Sequence, residues 1–133
     1  AYQGSGIATD LSPFFADVAA RLVGAHLVIA RAGASTVAEL AVAGRPAILV
    51  PLPGAIDDHQ SANAGALAVA GGAWVMRQPE FTPEALAARL SSLLPDPALL
   101  AGAAQAVRTQ ARADATRALA SLVQNLLRQE VRP

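Results

Sequence analysis

Leu27-Val28-Ile29-Ala30-Arg31-Ala32-Gly33-Ala34-Ser35-Thr36-Val37-Ala38-Glu39-Leu40 is the stretch that decides the fold. It opens inside the apolar run His26–Ala30, which is rich in branched side chains and fits a strand buried on both faces. A turn of small residues around Gly33 follows. A helix then begins at Ser35 or Thr36, runs to Ala43 and stops at Gly44. The same grammar recurs twice. Pro46–Pro51 is a second apolar run and Ala73–Met76 a third, with a helix over His59–Ala70 between them that ends at Gly71-Gly72. Strand, helix, strand, helix, strand implies right-handed crossovers and a parallel sheet covered by helices.

Outward from this centre the pattern changes. Residues 1–8 read as loop, and Thr9–Phe15 as a short strand leading into a helix over Asp17–Val23 that stops at Gly24. Beyond Met76 the chain is helical. Thr82-Pro83-Glu84 supplies an N-cap, a proline at the first helical position and an acid that complements the helix dipole. Leu86, Leu90, Leu93 and Leu94 form one stripe. Pro95-Asp96-Pro97 breaks that helix and caps the next, which carries Leu99, Leu100, Ala103, Ala104 and Val107. A last helix from about Asp114 carries Leu119, Leu122, Val123, Leu126 and Leu127. All three stripes are expected to pack into the core.

Composition bounds the answer. At 133 residues the chain is one domain's worth of protein. Hydrophobic residues make up 53% and charged residues 15%, which excludes a disordered chain. Alanine supplies 33 positions, small side chains suited to close helix packing. The ten basic residues are all arginine and balance ten acids, so no electrostatic case exists for nucleic acid. There is no cysteine, which removes disulfides, thiolate metal sites and cysteine nucleophiles. The longest apolar runs fall far short of the roughly 20 residues of a membrane span, and the N-terminus does not read as a signal peptide.

Chemistry is expected at the carboxyl edge of the sheet, where open parallel sheets bind ligands. The helix that starts near Ser35 presents unpaired backbone N–H groups and about half a positive charge, which suits a phosphate. Gly33 lets a ligand approach the backbone, the Ser35 and Thr36 hydroxyls can donate to phosphate oxygens, and the Glu39 carboxylate can accept two ribose hydroxyls. A plain capped turn with a solvated Glu39 is the other reading. Only Gly33 occurs here, so this is not the Gly-x-Gly-x-x-Gly dinucleotide fingerprint. The second constellation runs from Pro51 to Asn63. Asp57 or Asp58 can cap the helix at His59, and Gln60 and Asn63 share a face of its first turn. Their amides both donate and accept, as sugar hydroxyls require. Capping plus an exposed polar face is the alternative. Asp57, Asp58 and His59 are adjacent and not expected to converge on a metal. His26, at a strand start, reads as structural.

Taken in order, Arg31-Ala-Gly-Ala-Ser-Thr-Val-Ala-Glu39, Gly44-Arg-Pro-Ala-Ile-Leu-Val-Pro51, and Asp58-His-Gln60 with Asn63 resemble the C-terminal domain of the MurG family. These are the UDP-N-acetylglucosamine transferases of peptidoglycan synthesis. The resemblance extends through Pro13–Ala19, Gly71–Val75 and the Pro97 and Asp114 helices, nearly the whole chain. It implies an α/β, Rossmann-like parallel sheet with flanking helices, part of a GT-B C-terminal domain, followed by C-terminal helices. Residues 1–133 would form one incomplete donor-binding domain. The parent would be an inverting hexosyltransferase that adds N-acetylglucosamine to a lipid-linked muramyl pentapeptide, with no cofactor and no obligatory metal.

On matching positions, the resemblance implies that Phe15 lies against the uracil, and that Ala34, Ser35 and Thr36, with Val37 and Ala38, line the diphosphate. Glu39 would bind the ribose, and Gln60 and Asn63 the N-acetylglucosamine hydroxyls. No catalytic residue would lie in this chain. The family's opening strand and glycine-rich loop have no match here, nor does the N-terminal domain that carries the acceptor site. The chain alone is therefore expected to be inactive, and its exposed sheet edge invites self-association. The parent would be cytoplasmic, peripheral to the inner face of the plasma membrane. Family members usually have Asp where His26 stands, and the Asp57 loop is one residue longer here. Two other readings remain: a non-catalytic UDP-sugar-binding subunit that needs a partner chain, and a UDP-sugar epimerase or hydrolase.

Overall fold

The structure, a computed structural model, describes residue 2, residues 4–54 and residues 58–130, with side-chain surroundings to residue 128. The elements run α1 (Val18–Gly24), β1 (Val28–Ala30), α2 (Ala34–Ala43), β2 (Ala47–Leu49), α3 (His59–Val69), β3 (Ala73–Val75), a 3-10 turn (Gln78–Glu80), α4 (Pro83–Leu93), α5 (Pro97–Arg108) and α6 (Ala115–Glu130). The sheet has the order β1-β2-β3 and is parallel throughout, with Val28 opposite Ala47 and Ala47 opposite Ala73. This is the α/β, Rossmann-like architecture expected from the strand–helix alternation.

The alternation of β2 divides the core between its two faces. Ala47 and Leu49 point to one side and pack with Leu40, Ala64, Leu67 and Val107. Ile48 points to the other and packs with Met76 and Leu93, with Trp74 and Phe81 against them. Leu40, Ile48 and Leu49 are fully buried, each contributing about 1.5–3 kcal/mol through removal from water. Alanines at 32, 41, 47, 64 and 73 occupy much of the first cluster. They let α2 and α3 lie close to the short strands.

Two glycines are required by geometry. Gly44 has φ 63° and ends α2 in the left-handed conformation, with the Arg45 N–H returning to the Leu40 carbonyl at 3.0 Å. A side chain there would also run into Arg108. Gly72 brings the start of β3 against α5, where an added Cβ would overlap the Val107 side chain and stand 3.0 Å from its Cα.

Several expectations change. Thr9–Phe15 forms no strand: Pro13 has no N–H to pair, and the Ser12 hydroxyl instead donates to the Phe14 carbonyl and accepts its N–H. α2 begins at Ala34, one residue early, because Gly33 takes the N-cap position. β1 is not buried on both faces: it lies at the sheet edge and Ile29 is 43% exposed. The α6 stripe is not core, since Leu119, Leu122, Val123, Leu126 and Leu127 are all about half or more exposed, and Leu94 and Leu99 of the two preceding stripes are exposed as well. Amphipathic spacing shows that a face is apolar but not that anything covers it. Among the described residues, no helix is long and apolar enough to cross a membrane.

Candidate functional site at the carboxyl edge of the sheet

β1 ends at Ala30, and three residues later Gly33 caps α2 with extended backbone, φ −63° and ψ 151°. The first intrahelical bond runs from the Val37 N–H to the Gly33 carbonyl at 3.0 Å. The helix therefore has no acceptor of its own for the N–H groups of Ala34, Ser35 and Thr36. Gly33 offers no side chain to cap them. By contrast α4 and α5, away from this edge, are conventionally capped. Thr82 Oγ1 accepts from the Ala85 N–H at 3.2 Å, and Asp96 Oδ1 from the Leu99 N–H at 2.9 Å. Glycine at this position costs only a few tenths of a kcal/mol relative to a capping side chain. It leaves the positive end of α2 open at the edge where open sheets bind ligands.

The fold does not require glycine at position 33. Its φ is ordinary, and a Cβ there would meet nothing closer than Thr36 Oγ1 at 3.8 Å. The same distance places the Thr36 hydroxyl over the turn. Ala34, Ser35, Ala38 and Glu39 are exposed and Thr36 is half-buried. Val37 differs from these neighbours, because its N–H is used by Gly33 and its side chain packs against the core. Glu39 faces α1 across an apolar groove of about 440 Å³ that Val18, Leu22, Val23 and Val42 also line.

The second constellation is tied to the first. Asn63 Nδ2 donates to the Ala32 carbonyl at 3.1 Å, which fixes the first turn of α3 against the turn before α2. Gln60 Oε1 accepts the Leu52 N–H at 2.9 Å, which ties the start of α3 to the segment after β2. Arg31 reaches across the edge, and its Nη1 donates to the Val50 and Pro51 carbonyls at 3.2 and 3.4 Å. Local spacing gives no sign of this, since the acceptors lie 19 and 20 residues away.

Asp58 stands at the N-cap of α3 but makes no capping bond, because its left-handed backbone, φ 49° and ψ 29°, departs from the extended geometry a cap needs. Asp57 lies outside the described residues. Among the described residues no three His, Asp or Glu side chains group to hold a metal ion. His26 is exposed and lies at the opposite pole of the sheet.

Phe15 lies outside the helix-end cluster, three residues before α1. The Arg21 guanidinium covers its ring at 3.8 Å from the centroid. Arg21 is itself held by Asp10 at 2.6 Å and Asp17 at 2.8 Å. Its hydrogen bond to Asp17 holds that carboxyl below the usual 3.8, and donating to Asp17 and Asp10 raises the guanidinium further. The i,i+4 spacing of Asp17 and Arg21 was readable as a pair. The ring contact was not.

The family model described as the glycosyltransferase family 28 C-terminal domain matches residues 1–119. A UDP-N-acetylglucosamine--N-acetylmuramyl-(pentapeptide) pyrophosphoryl-undecaprenol N-acetylglucosamine transferase of Rhodospirillum centenum is 62% identical over 122 residues, 92% of this chain and 32% of that protein. Its namesake in Granulibacter bethesdensis is 58% identical over 127 residues, 96% of this chain and 33% of that protein. The crystal structure of Acinetobacter baumannii MurG superposes with a TM-score of 0.80 at 42% identity, over 87% of this chain and 33% of that one. The chain thus spans about a third of the length of these relatives. Over that span, sequence and architecture agree: the chain belongs to the glycosyltransferase family 28 C-terminal domain family.

Proposed function

We propose that this chain is the donor-binding part of an inverting glycosyltransferase that carries N-acetylglucosamine from UDP to a lipid-linked muramyl pentapeptide. One observation carries the reading: the uncapped N-terminus of α2 opens three backbone N–H groups at the carboxyl edge of a parallel sheet. The relatives' names supply the donor sugar and the acceptor.

In this reading the N–H groups of Ala34, Ser35 and Thr36, with the two hydroxyls, hold the diphosphate. Val37 anchors the helix turn beneath it, and Ala38 leaves room beside it. Glu39 accepts the ribose hydroxyls. The Gln60 and Asn63 amides meet the sugar, and Phe15 lies against the uracil. The acceptor 4-hydroxyl attacks the anomeric carbon as the bond to the β-phosphate oxygen breaks. Negative charge develops on the departing UDP, and the α2 terminus stabilises it there. The acceptor site and the base belong to a separate N-terminal domain. Residues 1–133 act as one incomplete domain, at the inner face of the plasma membrane in the longer protein. The exposed Ile29 on the β1 edge supports self-association of the isolated chain.

Calorimetric titration with UDP and UDP-N-acetylglucosamine tests the reading. Micromolar to millimolar binding is expected, weakened at least about tenfold in Glu39→Ala through loss of the charge-assisted ribose bonds. Equal binding by the variant sinks the assignment of Glu39. No binding by a folded chain sinks the claim that these residues suffice as a donor site.

A further inference from the structure

The pole of the sheet opposite the α2 N-terminus holds a second cavity, of about 550 Å³. That lies within the range of about 300–1,000 Å³ for small-molecule sites. It opens where the chain enters the strands: His26 stands two residues before β1, and Arg45 two residues before β2. Gln105 and Arg108 join them from the last turn of α5. Leu94 and Leu100 belong to the apolar remainder of the wall. Among the described residues no carboxylate lines the cavity, although the chain as a whole is neutral. The side-chain charge here is therefore positive, set beside the carbonyl ends of α1 and α5.

Arg45 is held in place, and Arg108 lines the same cavity. Arg45 donates through Nη2 to the Val23 carbonyl, while its Nε is buried and has no partner. The Arg108 side chain lies against Gly44, in space that only a glycine leaves open. Two guanidinium groups brought to one cavity wall are suited to the paired recognition of phosphate oxygens.

We propose that this cavity binds a phosphate ester bearing an apolar group. Arg45 and Arg108 take the phosphate, His26 and Gln105 add hydrogen bonds, and the wall of Leu94 and Leu100 takes the ester group. The site shares no residue with the helix-end site and does not depend on the donor reading.

Nitrogen-15 NMR titration of the chain with inorganic phosphate and with phenyl phosphate tests it. Saturable shifts are expected at His26, Arg45, Gln105 and Arg108, with phenyl phosphate binding about tenfold tighter because the ring is buried. Arg108→Met keeps the stem over Gly44 but removes the charge, and should weaken binding about tenfold or more. Gln105→Glu, on an exposed position, adds a repelling carboxylate without touching the core and should act in the same direction. Co-sedimentation with phosphatidic acid vesicles, beyond that with phosphatidylcholine alone and lost in Gln105→Glu, assigns a lipid headgroup as the ester. Phenyl phosphate binding without co-sedimentation assigns a soluble one. Shifts confined to Ala34–Thr36, shifts spread equally over Arg89 and Arg117, or unchanged affinity in Gln105→Glu would overturn the proposal.

Discussion

Asn63 Nδ2 donates to the carbonyl of Ala32 at 3.1 Å across 31 residues of sequence. This bond joins the first turn of α3 to the turn that opens α2, so the two halves of the candidate site form one unit. Asn63→Ala leaves the Ala32 carbonyl without this partner and should cost about 1 kcal/mol. Urea denaturation reads the stability change, and UDP titration should show weaker binding in the same variant. Binding unchanged alongside the lost stability would confine Asn63 to a structural role.

The two glycines at positions 33 and 72 should respond in opposite ways. Gly33→Ala has room for its Cβ and an ordinary φ. Its stability should change by no more than about 0.5 kcal/mol, since the gain in chain stiffness offsets a poorer N-cap. UDP affinity should nonetheless fall, because the methyl group would stand where the proposed diphosphate site meets the backbone. Gly72→Ala drives a methyl into Val107 and should cost about 1–3 kcal/mol. Thermal melts of both variants beside UDP titration check the contrast, which fails if Gly33→Ala binds as the parent chain does.

Acidification should loosen the Phe15 segment. Asp17 has a folded value below the ordinary 3.8 because Arg21 hydrogen-bonds its ionised form. Its contribution is therefore complete above 3.8 and fades as pH falls through the lower folded value. Arg21 stays charged throughout this window, since its own value is raised. Phe15 ring resonances followed by NMR should shift together with the Asp17 carboxyl below pH 3.8. Asp17→Asn should abolish that transition, and a carboxyl midpoint at or above 3.8 contradicts the ion pair.

The exposed face of α6 should tolerate polar substitution. Leu122 and Leu126 are more than half exposed. Leu122→Gln with Leu126→Gln should therefore alter unfolding free energy by no more than about 0.5 kcal/mol per site. Leu40→Ala, at a fully buried position of α2, should cost about 2–5 kcal/mol. A loss of several kcal/mol in the α6 variant, read by urea denaturation, would mean that another surface covers this face.

The sequence by itself determined the order and type of the central elements. Branched apolar runs bounded by glycine and proline leave little choice but strands. Gly44, Gly71, Thr82 and Asp96 mark helix ends because local backbone chemistry acts over only three or four residues. The small-residue turn before α2 was legible for the same reason, and with it the region of the candidate site. Tertiary structure decided what lies far apart in sequence. It made Ile29 an edge residue and left the α6 stripe exposed, because burial depends on which neighbour is present and not on periodicity. It turned Asp58 away from capping through its backbone, covered Phe15 with Arg21, and carried Arg31 to the end of β2. It also set Arg45 and Arg108 around one cavity, 63 positions apart (108 − 45). No local pattern encodes these contacts, since each requires the sheet to bring separate loops to the same pole.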